Sequence, residues 1–159
     1  EAALYRHFPS KTKMFEALIE FVEATLFTRI SRIMEEKPNS LDCCYRILEL
    51  LLGFCERNPG ITRILHGGAL LGESERLHLR VAQLFDRIET QLRTALREAE
   101  VKERLRPTIL LADSASLILA AAEGRISQFV RSEFKRSPLQ GWDKQWALLA
   151  SNLMRPVPA

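Results

Sequence analysis

The sequence contains few of the residues that mark disulfide-rich or metal-binding proteins. Its 159 residues include only 3 cysteines, and its 7 prolines and 7 glycines are clustered. The cysteines are Cys43, Cys44 and Cys55, an odd number without a CxxC pair, which argues against a disulfide framework and against a metal or redox motif. We therefore expect three buried thiols that pack as small apolar groups in a reducing cytoplasm.

The sequence also lacks a long apolar run and a marked excess of one charge. No apolar run reaches the roughly 18 residues that a bilayer-spanning helix needs, so we predict no membrane partner. The 23 lysines and arginines against 20 aspartates and glutamates give a formal charge of +3. So small an excess does not by itself indicate a nucleic-acid partner.

Residue patterns typical of catalysis and of metal binding are missing as well. The sequence has no phosphate-binding glycine loop and no defensible Ser-His-Asp arrangement. His66 and His78 have no histidine or cysteine at ligand spacing, and Glu75 forms only a common helix-surface pair with His78. We therefore predict that the protein is not an enzyme and carries no metal and no cofactor.

The abundant residues, leucine, isoleucine and alanine, recur with helical spacing along the whole chain. The pattern predicts an all-α bundle and contains no convincing alternation of the kind that marks a β-strand. Residues such as Ser10, Asn39, Pro59 and Gly67 set the expected helix boundaries. The predicted helices cover 1–7, 10–36, 39–57, 61–66, 73–104, 108–135 and 142–155. The longest carries one apolar stripe of Leu77, Val81, Leu84, Ile88, Leu92 and Ala95.

The first residues carry a recognisable motif. The segment LYRHFPSKTKMF resembles the recognition-helix signature of TetR-family regulators, where it forms the second helix of a helix-turn-helix and the start of a linking helix. Small residues there allow the helix to approach the DNA groove, and tyrosine and histidine can donate to phosphates or base edges. A lysine at the next helix start can bind a phosphate. The resemblance implies binding to double-stranded DNA through Ala2, Tyr5, Arg6, His7 and Lys11.

The same resemblance implies a domain organisation and a homodimer. Residues 1–12 are expected to be the remnant of the helix-turn-helix domain, whose first two helices would precede Glu1, and residues 13–159 the C-terminal regulatory and dimerisation domain. TetR proteins pair through their last two long helices, and small residues permit the close helix axes of such a bundle. The two-fold symmetry of a dimer also matches palindromic DNA sites. The predicted interface residues are Ala121, Ala122, Gly124, Phe129, Trp146, Leu149 and Leu153.

Two further segments narrow the resemblance. The stretches LLLGFCERNPGITRIL and FVRSEFK are similar to the nucleoid occlusion factors, a group of TetR-fold inhibitors of bacterial cell division. That similarity implies a cytoplasmic, nucleoid-associated dimer that binds palindromic chromosomal sites. It also implies binding to the C-terminal tail of the tubulin-like division protein FtsZ, which disrupts FtsZ polymers over the nucleoid. The tail groove would lie between the linking helix and the next, at Phe21, Arg29, Leu50, Gly53, Arg57 and Asn58.

The residues themselves are compatible with such a groove. Leu50, Gly53 and Arg57 fall at i, i+3 and i+7, so they share one face of a helix. A glycine in a helix interior costs about 1 kcal/mol relative to alanine, which indicates that something comes close to Gly53. Phe21 and Leu50 would supply an apolar floor, and arginines would supply charge for an acidic peptide or a free carboxylate. Alternatively, Gly53 accommodates a neighbouring helix and the arginines are merely solvated.

Three classes of function therefore remain open in the sequence. A DNA-binding adaptor that inhibits division should have a filled core and an open groove near Phe21 and Leu50. A TetR repressor gated by a small effector should instead have an enclosed pocket of roughly several hundred Å³ in the larger domain. An enzyme is the third class, and the sequence offers no chemistry for it.

Overall fold

The structure is a computed structural model that describes residues 9–159. Ala2, Tyr5, Arg6, His7 and the helix expected over 1–7 lie outside the described residues. The described helices are α1 (Lys11–Glu35), α2 (Ser40–Arg57), α3 (Pro59–Leu65), α4 (Glu75–Lys102), α5 (Leu111–Arg131) and α6 (Trp142–Leu153). A short 3-10 helix covers Gly68–Leu70, and two strands, β1 (Leu105–Pro107) and β2 (Met154–Pro156), complete the fold. The predicted all-α class is confirmed.

Local capping chemistry explains why the helices begin where the sequence predicts. The Ser10 side chain accepts a hydrogen bond from the Lys13 N–H at 3.1 Å, at the start of α1. Asn39 Oδ1 accepts from the Asp42 N–H at 2.9 Å, at the start of α2. Pro59 occupies the first turn of α3, where a missing N–H costs nothing. Helix α1 runs without a break through residues 12 and 13, so the predicted domain boundary falls within its first turn.

Two apolar clusters hold the helices together. The main core joins α1, α2, α4, α5 and α6, and the predicted stripe of α4 is buried along its whole length. A second cluster packs the first half of α1 against α3, the 3-10 helix and the start of α4. It contains Met14, Phe15, Ile19, Ile64, Leu70, Leu77 and Val81. One face of α1 and one face of α2 pack on these clusters, and the opposite faces of both helices are accessible to solvent.

The three cysteines are buried and free, as predicted. Burial, followed by the charge of Asp42, raises the pKa of Cys43 to about 11, and burial raises the pKa of Cys55 to about 11. Burial also raises the pKa of Cys44. The thiols therefore stay protonated at neutral pH and pack as small apolar side chains.

The prediction that the chain contains no strand is wrong at two places. Strand β1 pairs antiparallel with β2, with Arg106 opposite Arg155. Each strand has only three residues, too few for an alternating pattern, and the pairing joins segments far apart in sequence. The helix predicted over 108–135 is also shorter, because Glu133 and Phe134 adopt left-handed backbone conformations just after α5. Within residues 9–159, no helix is both long enough and apolar enough to cross a bilayer.

Candidate functional site

An open groove of about 420 Å³ runs between α1 and α2. Its lining residues are Arg29, Arg32, Ile33, Arg46, Glu49, Leu50, Gly53, Arg57 and Leu139. The structure therefore brings four of the predicted groove residues, Arg29, Leu50, Gly53 and Arg57, to one site. Arg29 and Arg57 are exposed and Leu50 is half-buried, so none of them is sealed beneath other side chains.

Gly53 is explained by the side chain that lies above it. A Cβ atom placed on Gly53 would lie 3.2 Å from Arg57 Nη1, and its three nearest atoms all belong to the Arg57 guanidinium. Arg57 follows Gly53 by four residues on α2, or about one helical turn. The Arg57 side chain therefore folds back along the helix and covers Gly53. The glycine makes room for this arginine and not for a neighbouring helix. The part of the second alternative that assigns Gly53 to a neighbouring helix therefore has no support, whereas the exposed Arg29 and Arg57 are compatible with either alternative.

The groove carries more positive than negative charge, with four arginines and one glutamate among its lining residues. Arg46 pairs with Glu36 at 2.7 Å and with Asp42 at 3.0 Å. Among residues 9–159, the guanidinium groups of Arg29, Arg32 and Arg57 form no ion pair. Three solvent-facing guanidinium groups beside a half-buried leucine can bind a carboxylate with a fork of charge-assisted hydrogen bonds.

Phe21 and Asn58 lie beyond the end of this cavity and do not line it. Phe21 is 51% exposed. Its ring centroid lies 6.4 Å from that of Phe54 on α2. The Asn58 amide donates to the Phe54 carbonyl at 2.8 Å, so this side chain completes the end of α2. The two residues lie at an end of the groove face where the ring of Phe21 is exposed.

Tyr45 connects the groove to the last helix. Its hydroxyl lies 2.5 Å from Glu49 Oε2 and 2.5 Å from Asp143 Oδ1, in the first turn of α6. Hydrogen bonding to Asp143 and then to Glu49 raises the pKa of Tyr45, so the hydroxyl remains protonated and donates its single proton to one of these carboxylates at a time. Glu49 is thereby held at the groove edge by a contact that also reaches α6.

Several lining residues were missed by reasoning from the sequence. Arg32 and Ile33 follow Arg29 by three and four positions, and Arg46 precedes Leu50 by four, so helical spacing could have placed them on the same faces. No such signal exists for Leu139, which belongs to the connection between α5 and α6. Lys11, predicted to bind a phosphate, lies at the start of α1, where its Nζ is 3.4 Å from Glu73 Oε1.

The predicted dimer interface contains both buried and exposed residues, and it stays a prediction. Ala122, Phe129, Trp146 and Leu153 are buried within the protomer itself, so they have little surface left for contact with a partner. Ala121 and Leu149 are half-buried, and Gly124 is exposed. Apolar spacing marks every non-polar position on a helix and does not tell which side faces the protomer's own core. The exposed faces of these two helices instead present Leu117, Ala120 and Gly124 on α5 and Leu148 on α6.

A second cavity, of about 530 Å³, lies where the α1–α2 connection meets the end of α4. Met34, Cys43 and Ala95 form apolar parts of its wall. Exposed residues, among them Lys37 and Lys102, are also part of its lining, so it opens at the surface. It is not the enclosed chamber that a ligand-gated repressor would be expected to contain.

A comparison with solved structures identifies a protein that shares this fold. A solved structure of the transcriptional regulator FadR from Bacillus subtilis, in complex with stearoyl-CoA, superposes with a TM-score of 0.71. The match covers 96% of this chain and 81% of that chain at 13% sequence identity, so it shows a shared fold alone.

Proteins related in sequence have a much higher identity to this chain than FadR has. Residues 38–154 match the SlmA-like family described as tetracyclin repressor-like, C-terminal domain. The chain is 55% identical over 154 residues to the nucleoid occlusion factor SlmA of Marinomonas sp. (strain MWYL1), covering 97% of this chain and 78% of the relative. It is 53% identical over 155 residues to the same factor of Shewanella halifaxensis (strain HAW-EB4), covering 98% and 79%. The chain therefore belongs to the SlmA family of nucleoid occlusion factors, DNA-binding regulators with the TetR fold.

Proposed function

We propose that the protein inhibits cell division over the nucleoid by holding the C-terminal tail of FtsZ in the groove between α1 and α2 while bound to DNA. The observation that carries this proposal is the convergence of Arg29, Leu50, Gly53 and Arg57 on one open groove with an excess of arginines. These residues come from two helices, and the groove remains accessible in the folded protomer.

The groove suits a short extended peptide that carries a carboxylate and apolar side chains. Ile33 follows Phe21 by twelve positions on α1, a rise of about 18 Å, which is the length of about five extended residues. Unpaired arginines attract acidic residues or a free C-terminus, and Leu50, Ile33 and Phe21 provide apolar contact. Because the charges are exposed, association should slow as salt is raised.

DNA binding and dimerisation complete the proposed mechanism. The recognition segment with Ala2, Tyr5, Arg6 and His7, followed by Lys11, would bind each half of a palindromic site. The exposed small residues Ala120 and Gly124 on α5 would allow close packing against the same helix of a second copy. A dimer on chromosomal DNA would present two tail grooves in the cytoplasm at the nucleoid surface.

Arg57→Asp tests the proposal directly, using the intact protein. Titration with a synthetic FtsZ C-terminal tail peptide should show a loss of affinity on the order of 100-fold, since an attracting charge becomes a repelling one. Arg97→Asp makes the same charge change at an exposed position of α4, away from the groove, and should bind the peptide normally. Sedimentation velocity should show both variants as dimers. Loss of the dimer in Arg57→Asp alone would assign the residue a structural role.

Co-sedimentation with FtsZ polymers separates the proposal from a plain repressor. The intact protein should reduce the pelleted FtsZ, and DNA that contains its binding site should strengthen the effect. Polymers that are unaffected with and without DNA would contradict the proposal and favour a TetR-type repressor gated by a small effector. The surface cavity of about 530 Å³ would then be the first place to search for that effector.

A further inference from the structure

The connection between α5 and α6, residues 132–141, forms a third side of the tail groove. Its residue Leu139 lines the cavity together with Arg29, Leu50 and Arg57. The same side chain is half-buried against the main apolar core, so its remaining surface faces the groove. The groove is therefore bounded by two helices and by a loop from the opposite end of the sequence.

A buried arginine fixes the conformation of this loop. Arg125, on α5, is only 6% exposed. Its Nε donates to the Pro138 carbonyl at 3.2 Å, and its Nη2 donates to the carbonyls of Ser137, at 3.2 Å, and Gln140. Three carbonyls on both sides of Leu139 thus bind one guanidinium.

The chemistry of Arg125 makes this arrangement specific. Its Nη1 donates to Gln128 Oε1 at 3.1 Å, and among residues 9–159 it pairs with no carboxylate. Burial and then repulsion from Arg136 lower the pKa of Arg125, yet a guanidinium remains charged in proteins. A buried charge without hydrogen-bonding partners is very unfavourable, so the loop carbonyls must stay in place around it.

A second tether fixes the loop to the groove helix itself. The Ser137 hydroxyl donates to the Glu56 carboxylate on α2 and accepts from the Leu139 N–H at 3.2 Å. Glu56 directly precedes Arg57 in the sequence. The position of Leu139 is therefore set relative to the helix that carries the groove arginine.

We propose that Leu139 is a specificity-determining residue of the groove, which contacts an apolar side chain of the bound tail, and that Arg125 is the positioning residue that holds it there. This inference rests on the proposed function. The ligand it selects is an extended acidic peptide with an apolar residue close to its carboxylate. Such a peptide meets the arginines and Leu139 at the same time.

The experiment is a titration of the intact protein with the synthetic FtsZ tail peptide, with a melting curve for each variant. Leu139→Ala should weaken binding about tenfold, as truncation of a buried apolar contact does in peptide interfaces. Leu139→Met keeps the volume and apolar character and should restore most of the affinity. Leu79→Ala truncates an exposed leucine of α4 outside the groove and should bind as the unaltered protein does.

A double-mutant cycle tests whether Arg125 acts on peptide binding through Leu139. Arg125→Lys retains the charge but not the planar fork, so the loop should loosen and binding should weaken several-fold. The double variant Arg125→Lys/Leu139→Ala should bind no more weakly than Leu139→Ala alone, because both changes remove the same contact. If Arg125→Lys fails to fold, Ser137→Ala removes the second tether and takes its place in the cycle.

The outcomes distinguish the two proposals. If the unaltered protein binds the peptide and Arg57→Asp does not, normal binding by Leu139→Ala would overturn the role of Leu139. Additive losses in the double variant would overturn the positioning role of Arg125. Failure of the unaltered protein to bind the peptide would instead overturn the proposed function.

Discussion

Gly53→Ala should make the protein more stable and a weaker binder of the FtsZ tail. The new methyl group would stand 3.2 Å from Arg57 Nη1, and the same guanidinium supplies the other two atoms within 4 Å. That distance is tighter than an ordinary van der Waals contact, and the end of an exposed arginine side chain can move by a few tenths of an ångström. The backbone of α2 therefore accepts the alanine, and Arg57 is displaced from its place over the helix.

The substitution is expected to raise stability and to lower peptide affinity, and the size of each change can be estimated separately. Replacing a helix-interior glycine by alanine stabilises a helix by about 1 kcal/mol, which raises Tm by roughly 2–4 °C for a domain of this length. In the proposed complex, displacing Arg57 would weaken a charge-assisted hydrogen bond to the peptide carboxylate. A loss of about 1 kcal/mol there lowers affinity about fivefold.

Urea unfolding and peptide titration measure the two quantities on the same preparation. Gly53→Ala/Arg57→Ala serves as the matched variant, because it removes the guanidinium that supplies the three nearest contacts of the new methyl group. The double variant should keep the gain in stability and bind no more weakly than Arg57→Ala alone. A lower unfolding free energy for Gly53→Ala, or a rise in stability without any loss of affinity, would refute the inference that Gly53 makes room for Arg57.

Two other positions give predictions of a different kind. A Cβ on Gly124 would meet no atom within 4 Å in the protomer, so Gly124→Ala should stabilise α5 by about 1 kcal/mol but weaken the dimer if this face packs against a second copy. Sedimentation across a concentration series would measure the dimer dissociation constant. An unchanged dissociation constant would mean that the interface lies elsewhere. For Cys43 and Cys55, folding raises the thiol pKa from 9.0 to about 11, so their contribution to stability is complete below pH 9 and is lost as pH rises toward 11. Urea unfolding between pH 8 and pH 11 should show this fall, and a steeper fall in Cys55→Ala than in the unaltered protein would contradict it.

Local chemistry made much of the fold predictable. The caps at Ser10 and Asn39 and the breaks at Pro59 and Gly67 act within a few residues, so the sequence pattern was sufficient to place the helix ends. Strands β1 and β2 were missed because each gains its hydrogen bonds only from the other, across α5 and α6. Strand pairing between distant segments produces no recognisable pattern in the local sequence.

The groove was predictable only in part, for a related reason. Leu50, Gly53 and Arg57 share a helix face, and that periodicity is visible in the sequence. What lies above Gly53 depends on the rotamer of Arg57, and the contribution of Leu139 depends on where a distant loop packs. Likewise, the apolar spacing of Ala122 and Trp146 fits a protomer core and a partner interface equally well, and packing alone separates the two.

The small sheet has a mechanical consequence for the whole C-terminal part of the chain. Pairing of β1 with β2, reinforced by the Thr108 N–H donating to the Leu153 carbonyl at 3.0 Å, closes the base of the α5–α6 hairpin. Its other end is closed by the loop around Arg125. Leu139 and Gly124 therefore belong to one segment of the chain whose two ends are held by hydrogen bonds. Separation of β1 from β2 would release the end of α6 from the start of α5.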